Sequence, residues 1–156
     1  MEEGRAVTDI VYGISCGELQ LQNNPRILVD AVEVDARRGD PDYLIIDARS
    51  RRYYEGYYDT VQQEFVGGHI EGAVTLPYAD LLSDSVPCMF TGDEEMGHVF
   101  SDAGMEDEKI LIHTCGSGIA ACVTYVVAKH LGYSSLFYDG SFQDWTNRDM
   151  SIATSY

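Results

Sequence analysis

Short apolar runs alternate with amphipathic segments along most of the chain, and this alternation is the main signal for its fold. Each run is three to six residues long and is bounded by turn residues, which is typical of parallel strands covered on both faces. The strands predicted in this way cover residues 27–29, 43–46, 73–76, 109–114 and 135–138.

Helical segments follow most of the predicted strands. Asp30 and Glu33 have the spacing of a capping box, which predicts a helix that ends near Gly39. Further helices are expected within residues 93–108, 119–131 and 142–148. Strands and helices in this alternating order predict an α/β fold with a central, mainly parallel sheet and helices on both faces.

The chain length predicts one folded domain. Its 156 residues and 17.3 kDa fit a single core, and 45% of the residues are hydrophobic, which is enough to build one. Residues 1–25 show no sustained periodicity and end in Asn23-Asn24-Pro25, so they are predicted to form an arm or linker. The domain is expected over residues 26–156.

The charge balance excludes some classes of partner. Ten Lys and Arg residues against 26 Asp and Glu residues give a net charge of −16, which repels phosphate backbones and anionic lipid headgroups. We therefore expect no nucleic-acid and no membrane partner. No apolar run approaches the roughly 20 residues that cross a bilayer, and the first residues lack a targeting pattern. These features predict a cytoplasmic protein.

The cysteines and histidines do not form a metal-binding pattern. The four cysteines include no Cys-x-x-Cys pair and the four histidines include no i,i+4 pair, so neither a zinc site nor a disulfide framework is indicated. Reduced, intracellular thiols are expected. No metal and no organic cofactor are predicted.

Cys115 lies where a predicted strand meets a predicted helix. Ligands of open parallel sheets bind beyond the carboxyl ends of the strands, so this cysteine is well placed for chemistry. Gly116 and Gly118 permit a tight turn, and the positive end of the following helix would stabilise a thiolate, which is the nucleophilic form. The alternative is a small buried apolar residue, which is the interpretation favoured for Cys122.

Several motifs together resemble the rhodanese sulfurtransferases. They are Asp47-Ala48-Arg49, Gly68-His69-Ile70-Glu71-Gly72-Ala73 and the loop from Cys115 to Ala120. The form Cys-Gly-Ser-Gly, with Tyr138-Asp139-Gly140-Ser141 and Trp145 downstream, is similar to the catalytic C-terminal domain of 3-mercaptopyruvate sulfurtransferases. The resemblance spans about residues 26 to 148.

The resemblance implies a two-step transfer of sulfur. The Cys115 thiolate would take sulfur from a small anionic donor, become a persulfide, and pass the outer sulfur to cyanide or to a thiol acceptor such as thioredoxin or a small thiol. Ser117 would bind the substrate or help to protonate the departing pyruvate enolate. The residues expected to stabilise the persulfide through the loop are Gly116, Gly118, Ile119 and Ala120.

Two departures from the family pattern leave alternatives open. Enzymes of this kind contain two rhodanese-like domains and the chain has one, so it is either a catalytic half that pairs with a second domain or a single-domain relative. The family uses two arginines to bind the substrate carboxylate. Here Arg51 and Arg52 are the candidates for that role, with a solvated cationic corner as the alternative.

Other functions occur on the same architecture. Cysteine phosphatases and arsenate reductases of the same architecture need a Cys-x5-Arg loop, and Ala121 stands at the position that would hold the arginine, which disfavours oxyanion chemistry. A non-catalytic docking module and a single-domain thiosulfate sulfurtransferase remain as alternatives to the mercaptopyruvate enzyme.

Overall fold

The computed structural model describes residues 17, 26–56, 67–85, 88–106 and 108–155. The predicted arm over residues 1–25 lies outside this part of the chain except for Gly17 and stays a prediction. No helix in the described ranges is both long and apolar enough to span a bilayer.

A parallel sheet of four strands forms the centre of the fold, in the order β3-β1-β4-β5. Its pairs are in parallel register, with Ile45 opposite Ile112 and Ile112 opposite Leu136. Leu28 adds one parallel bridge to Phe137 at the edge, where a first strand was predicted. The strands are β1 (Tyr43–Asp47), β2 (His69–Ile70), β3 (Val74–Thr75), β4 (Ile110–Thr114), β5 (Ser135–Phe137) and β6 (Ile152–Ala153), of which β2 and β6 form a separate antiparallel pair.

Helices cover both faces of this sheet. Ile45 on one face packs with Val34 and Trp145, whereas Ile46 on the other face packs with Phe100 and Val127. The predicted α/β class with a central parallel sheet is therefore confirmed. The helices are α1 (Ala31–Arg37), α2 (Arg51–Glu55), α3 (Asp93–Asp102), α4 (Ile119–His130) and α5 (Ser141–Asn147), with a 3-10 turn at Tyr78–Leu81.

The capping box predicted before α1 is present. Asp30 accepts a hydrogen bond from the Glu33 amide at 2.9 Å, and the Glu33 carboxylate accepts one from the Asp30 amide at 3.1 Å. By contrast, the pattern did not predict α2 or the β2–β6 pair. These elements contain five residues and two residues per strand, which is too short for a periodicity to be recognised.

A buried ion pair joins the carboxyl end of β1 to neighbouring elements. Arg49 Nη2 lies 2.6 Å from Asp47 Oδ2 and 2.6 Å from the carbonyl oxygen of Gly68. Its guanidinium carbon lies 3.9 Å from the centre of the Phe142 ring. The Asp47 side chain is fully buried and that of Arg49 is 10% exposed. This pair therefore connects β1, the segment before β2 and α5.

His113 lies in the interior of the domain, one strand position before the end of β4. Its ring is within 3.0 Å of the Thr124 hydroxyl on α4 and 3.3 Å of the Ser135 hydroxyl on β5. Burial lowers the pKa of His113 to about 3, because the charged imidazolium would lose its hydration. The ring is therefore neutral in the folded protein at neutral and mildly acidic pH.

The buried neutral histidine predicts a loss of stability on acidification. The unfolded chain binds a proton at His113 near pH 6.5, whereas the folded chain does not until about pH 3, so the free energy of unfolding falls as the pH drops below 6.5. From pH 7 to pH 5 this residue alone should cost about 2 kcal/mol. Urea unfolding at both pH values should therefore show a larger drop in the wild type than in His113→Asn.

His98→Asn is the matched control, since His98 is exposed on α3. It should show the same drop as the wild type. Equal drops in the wild type and in His113→Asn would contradict the assignment of this pH dependence to His113.

The Asp47–Arg49 pair predicts a large stability loss when one partner is removed. Asp47→Ala leaves the buried guanidinium without its carboxylate and should lower the free energy of unfolding by about 3 kcal/mol. The control is Glu71→Ala, which removes the 64% exposed partner of Arg38 and should cost less than about 1 kcal/mol. Urea unfolding at neutral pH measures both, and similar losses would show that burial does not set the strength of the Asp47 pair.

Candidate active site

Cys115 follows directly after β4, whose two neighbours in the sheet are β1 and β5. Its side chain packs among Ala48 after β1, Ala121 on α4 and Phe137 on β5, and the residue is 2% exposed. The sulfur is therefore held at the carboxyl edge of the sheet, near its middle, where ligands of open parallel sheets bind.

A glycine makes the turn from this cysteine into α4. Gly118 has φ +89°, a left-handed conformation that side chains rarely adopt, and it precedes the first helical residue, Ile119. A Cβ atom at Gly118 would also lie 3.1 Å from the carbonyl oxygen of Asp139. Both the backbone conformation and the close approach of the next loop therefore favour glycine here.

The first turn of α5 binds the main chain of the cysteine and of the residue that follows it. The amides of Phe142 and Gln143 donate to the carbonyl oxygens of Cys115 and Gly116, each at 3.0 Å. In a trans peptide the carbonyl and the following amide point in opposite directions. The amides of Gly116 and Ser117 are therefore turned away from α5.

The loop amides have no acceptor within the described part of the chain. No carbonyl or side chain there accepts from the amides of residues 116–121, and the first bond of the turn is from the Cys122 amide to the Gly118 carbonyl at 3.3 Å. Unpaired amides at the start of a 12-residue helix form a region of positive potential beside Cys115. Such a region suits an anion.

The other loop residues predicted for the site differ in exposure. Ser117 is exposed, Ala120 is half-buried against the residues around Cys115, and Ile119 is 80% exposed. Ser117 thus lies on the solvent side of the loop, two residues from the buried sulfur. The structure places Gly116, Ser117, Gly118, Ile119 and Ala120 in one arc around the start of α4.

The two candidate arginines, Arg51 and Arg52, are the first two residues of α2. Arg51 Nη2 is 3.3 Å from Asp80 Oδ2, and the Arg51 side chain is 60% exposed. Arg51 lines a cavity of about 450 Å³ along the β3 edge, with Tyr54 and Asp102 among the other lining residues. None of the described residues 115–120 lines this cavity. Arg52 is exposed on the same helix.

Ser141 is a neighbour of Cys115 that the sequence did not single out for the site. Its hydroxyl accepts a hydrogen bond from the Cys115 amide at 3.2 Å. The sequence places the two residues 26 positions apart, and a contact of this range leaves no periodic signal. In the sequence this residue belongs to the Tyr138-Asp139-Gly140-Ser141 motif, whose meaning comes from the family resemblance alone.

No group of three or more potential metal ligands from His, Cys, Asp and Glu occurs among the described residues. Within that part of the chain Cys88, Cys115 and Cys122 are free thiols. Cys122 is exposed, so its interpretation as a small buried residue is wrong, because its position in the first turn of α4 faces away from the core.

The amino-acid sequence is similar to those of known sulfurtransferases. The chain is 27% identical over 152 residues to "Thiosulfate/3-mercaptopyruvate sulfurtransferase 1, mitochondrial" of Arabidopsis thaliana, covering 96% of the chain and 38% of that protein. It is 31% identical over 116 residues to the 3-mercaptopyruvate sulfurtransferase of Mus musculus, covering 74% of the chain and 37% of that protein. The chain thus spans less than half the length of these relatives.

Solved structures show the same fold. The crystal structure of SseA from Escherichia coli, a 3-mercaptopyruvate sulfurtransferase with the rhodanese fold, superposes with a TM-score of 0.65 at 27% identity, over 81% of the chain and 46% of that structure. The Tum1 protein of Saccharomyces cerevisiae superposes with a TM-score of 0.72 at 23% identity, over 83% and 47%. The family model described as the rhodanese-like domain matches residues 30–148, so this chain belongs to the rhodanese family.

Proposed function

We propose that this chain is a sulfurtransferase that moves sulfane sulfur from 3-mercaptopyruvate to a thiol or cyanide through a persulfide on Cys115. The observation that carries the proposal is the position of Cys115 inside a turn whose amides, from residue 116 to residue 121, have no acceptor within the described part of the chain. The names of the relatives from Arabidopsis thaliana and Mus musculus support the same class of reaction.

The first step transfers sulfur from the donor to the enzyme. The Cys115 thiolate attacks the sulfur of 3-mercaptopyruvate and forms a sulfur–sulfur bond. The carbon–sulfur bond of the donor breaks, and its electron pair passes to carbon to give the enolate of pyruvate. The thiol proton of the donor passes to the carbon of that enolate, which releases pyruvate and leaves Cys115 as a persulfide anion. Ser117, on the exposed side of the turn, is the residue proposed to bind the donor or assist this protonation.

The second step regenerates the enzyme. An acceptor thiolate attacks the outer sulfur of the persulfide, the sulfur–sulfur bond breaks, and its electron pair returns to Cys115 as the thiolate. The acceptor leaves as a persulfide, or as thiocyanate when it is cyanide. No net oxidant or reductant is consumed in either step.

The loop amides have an electrostatic role in both steps. The negative charge resides on sulfur in the thiolate and on the outer sulfur in the persulfide, and fixed amide dipoles stabilise such charge without reorganising during the reaction. Their effect is stronger where water is excluded, and Cys115 is 2% exposed. Amides of Gly116 and Ser117, turned away from α5, are the donors proposed for this charge.

The donor is proposed from the resemblance of the turn to mercaptopyruvate enzymes, and thiosulfate is the second candidate. The Arabidopsis thaliana relative carries both donors in its name. Thiosulfate is a dianion, whereas mercaptopyruvate carries one carboxylate, and Arg51 already contacts Asp80. In a chain of net charge −16 the singly charged donor meets less repulsion. Binding of that carboxylate by Arg51 or Arg52 remains part of the proposal.

The acceptor and the setting of the reaction follow from its thiol chemistry. A thiol acceptor such as thioredoxin or a small thiol regenerates the Cys115 thiolate, and a reduced cysteine requires a reducing compartment. The cytoplasm predicted from the sequence is one such compartment. A second rhodanese-like domain, present in the family's two-domain enzymes, is the proposed partner. It would supply the groups that complete the donor site around Ser117.

Replacement of the nucleophile should abolish the reaction. Cys115→Ser should reduce sulfur transfer from 3-mercaptopyruvate to cyanide by at least about a thousandfold, because the serine hydroxyl is not ionised at neutral pH. Thiocyanate formation measures this rate. Mass spectrometry after exposure to donor alone should show one added sulfur atom on the wild type and none on the variant.

Cys122→Ser is the matched control, since Cys122 is exposed in the first turn of α4 and its Sγ contacts the Gly118 carbonyl. It should keep most of the activity and gain sulfur at Cys115. If the wild type gains no sulfur from either 3-mercaptopyruvate or thiosulfate, the docking-module alternative is favoured instead.

Replacement of Ser117 should separate the two donors. Ser117→Ala should lower turnover with 3-mercaptopyruvate by roughly 10- to 100-fold, because only that donor leaves an enolate to be protonated. Turnover with thiosulfate, whose leaving group is sulfite, should change by less than about threefold. Steady-state assays with both donors and cyanide measure the two effects, and equal losses would contradict the proposed role of Ser117.

A further inference from the structure

Ser141 has a backbone conformation that is unusual for a residue with a side chain. It is fully buried and has φ +54°, in the left-handed region, whereas the preceding Gly140 has an ordinary helical φ of −57°. A non-glycine residue in this region is strained, and such strain persists where the surrounding structure determines it. The interactions of the Ser141 hydroxyl give the reason.

The hydroxyl of Ser141 bridges two main-chain groups that are distant in sequence. It accepts from the Cys115 amide at 3.2 Å and donates to the Tyr138 carbonyl at 3.0 Å. Glycine would suit the backbone but would remove both bonds, and alanine would keep the strain and also remove both. Serine is the smallest residue that makes the two bonds, and the site leaves it no exposed surface.

The residues next to Ser141 complete the contact with the turn. The amides of Phe142 and Gln143 bind the carbonyls of Cys115 and Gly116, so three consecutive residues hold both main-chain groups of Cys115 and one of Gly116. Phe142 is fixed by the Arg49 guanidinium stacked on its ring. The hydroxyl of Tyr138, the residue that accepts from Ser141, donates to Asp144 on α5 at 2.8 Å. The bridge is therefore rigid at both ends.

We propose that Ser141 is a positioning residue for sulfur transfer: by binding the Cys115 amide it fixes the orientation of the turn whose amides stabilise the sulfur anion. The inference rests on the proposed function and adds a residue whose hydroxyl binds the main-chain amide of Cys115. Without the hydroxyl, the buried Cys115 amide loses its only acceptor among the described residues. The turn then relaxes to satisfy that amide, and the amides of Gly116 and Ser117 lose their alignment.

The test compares Ser141→Gly and Ser141→Ala with the wild-type chain. Both variants remove the hydroxyl, but only glycine relieves the left-handed strain, so Ser141→Ala should melt roughly 3 °C below Ser141→Gly. The control is Thr146→Ala, which removes a hydroxyl on the same helix whose hydrogen bonds go to the Phe142 and Gln143 carbonyls at 3.0 and 3.1 Å.

Two readouts follow Cys115 itself. The first is its rate of alkylation by iodoacetamide at pH 7, quantified by mass spectrometry of the peptide that contains it, because the thiolate is the reacting form. The second is sulfur transfer to cyanide, separated into kcat and KM. Both Ser141 variants should alkylate about tenfold more slowly and show a kcat about tenfold lower, with KM changed by less than about twofold. Thr146→Ala should stay within about twofold of the wild type in both.

The outcomes distinguish a positioning role of Ser141 from a general loss of rigidity in α5. They also keep the failure of this inference apart from the failure of the proposed function. Wild-type alkylation in the more stable Ser141→Gly variant would overturn the positioning role, and so would an equal slowing in Thr146→Ala. A raised KM with unchanged kcat would also overturn it, because Ser141 would then act on donor binding. A wild-type chain that transfers no sulfur would defeat the proposed function, while the alkylation comparison would still decide the role of Ser141.

Discussion

The main-chain hydrogen bonding of a short turn is the constraint on which the rest of this structure depends. The carbonyls of Cys115 and Gly116 are bound by α5, and this leaves the amides that follow them turned to the opposite side. A peptide group cannot rotate its carbonyl without rotating the attached amide, so saturation of one side prepares the other for an anion. The sheet has to bring β4 and the start of α5 together for this to occur, and the parallel pairing of β4 with β5 does so.

The charges of the domain also indicate that main-chain amides, rather than side-chain cations, stabilise the sulfur anion. A chain with net charge −16 is a poor host for an anionic intermediate, and two of the arginines that follow β1 contact carboxylates. Arg49 is paired with the buried carboxylate of Asp47, and Arg51 lies against Asp80. Dipoles of the loop amides and of α4 supply positive potential beside the sulfur. Stabilisation by fixed dipoles also persists in salt, which screens surface charges more than buried groups.

Much of the fold was readable from the sequence, because apolar runs of β1 and β4 and the periodicity of α4 are long enough to give a pattern. The same signals predict the position of Cys115 at a strand-to-helix junction. They also predict a tight turn at Gly118, which has a left-handed conformation in the structure. The short α2 and the β2–β6 pair were missed, since their stability comes from packing and pairing with distant segments rather than from local propensity.

The site was less predictable than the fold. The contact of Ser141 with Cys115 joins residues 26 positions apart through one hydroxyl, and no composition or spacing encodes it. Arg51 is a candidate because of its charge, but charge alone does not predict which groups its side chain contacts. In the structure it contacts Asp80 and borders a cavity along the β3 edge. Residue type indicates which chemistry is available, whereas the position of each group is decided by tertiary contacts.

Burial of Cys115 places different demands on the two partners of the proposed reaction. The residue is 2% exposed, whereas Ser117 and Ile119, on either side of Gly118, are exposed. A donor must bring its sulfur into the turn to meet the thiolate, which favours a small molecule. A persulfide adds a second sulfur at a bond length of about 2.05 Å, so the transferable atom lies farther from the cysteine backbone than the original thiolate. The acceptor thiol of the second step can therefore be bulkier than the donor of the first step. It attacks the outer sulfur of the persulfide, which extends beyond the buried sulfur of Cys115.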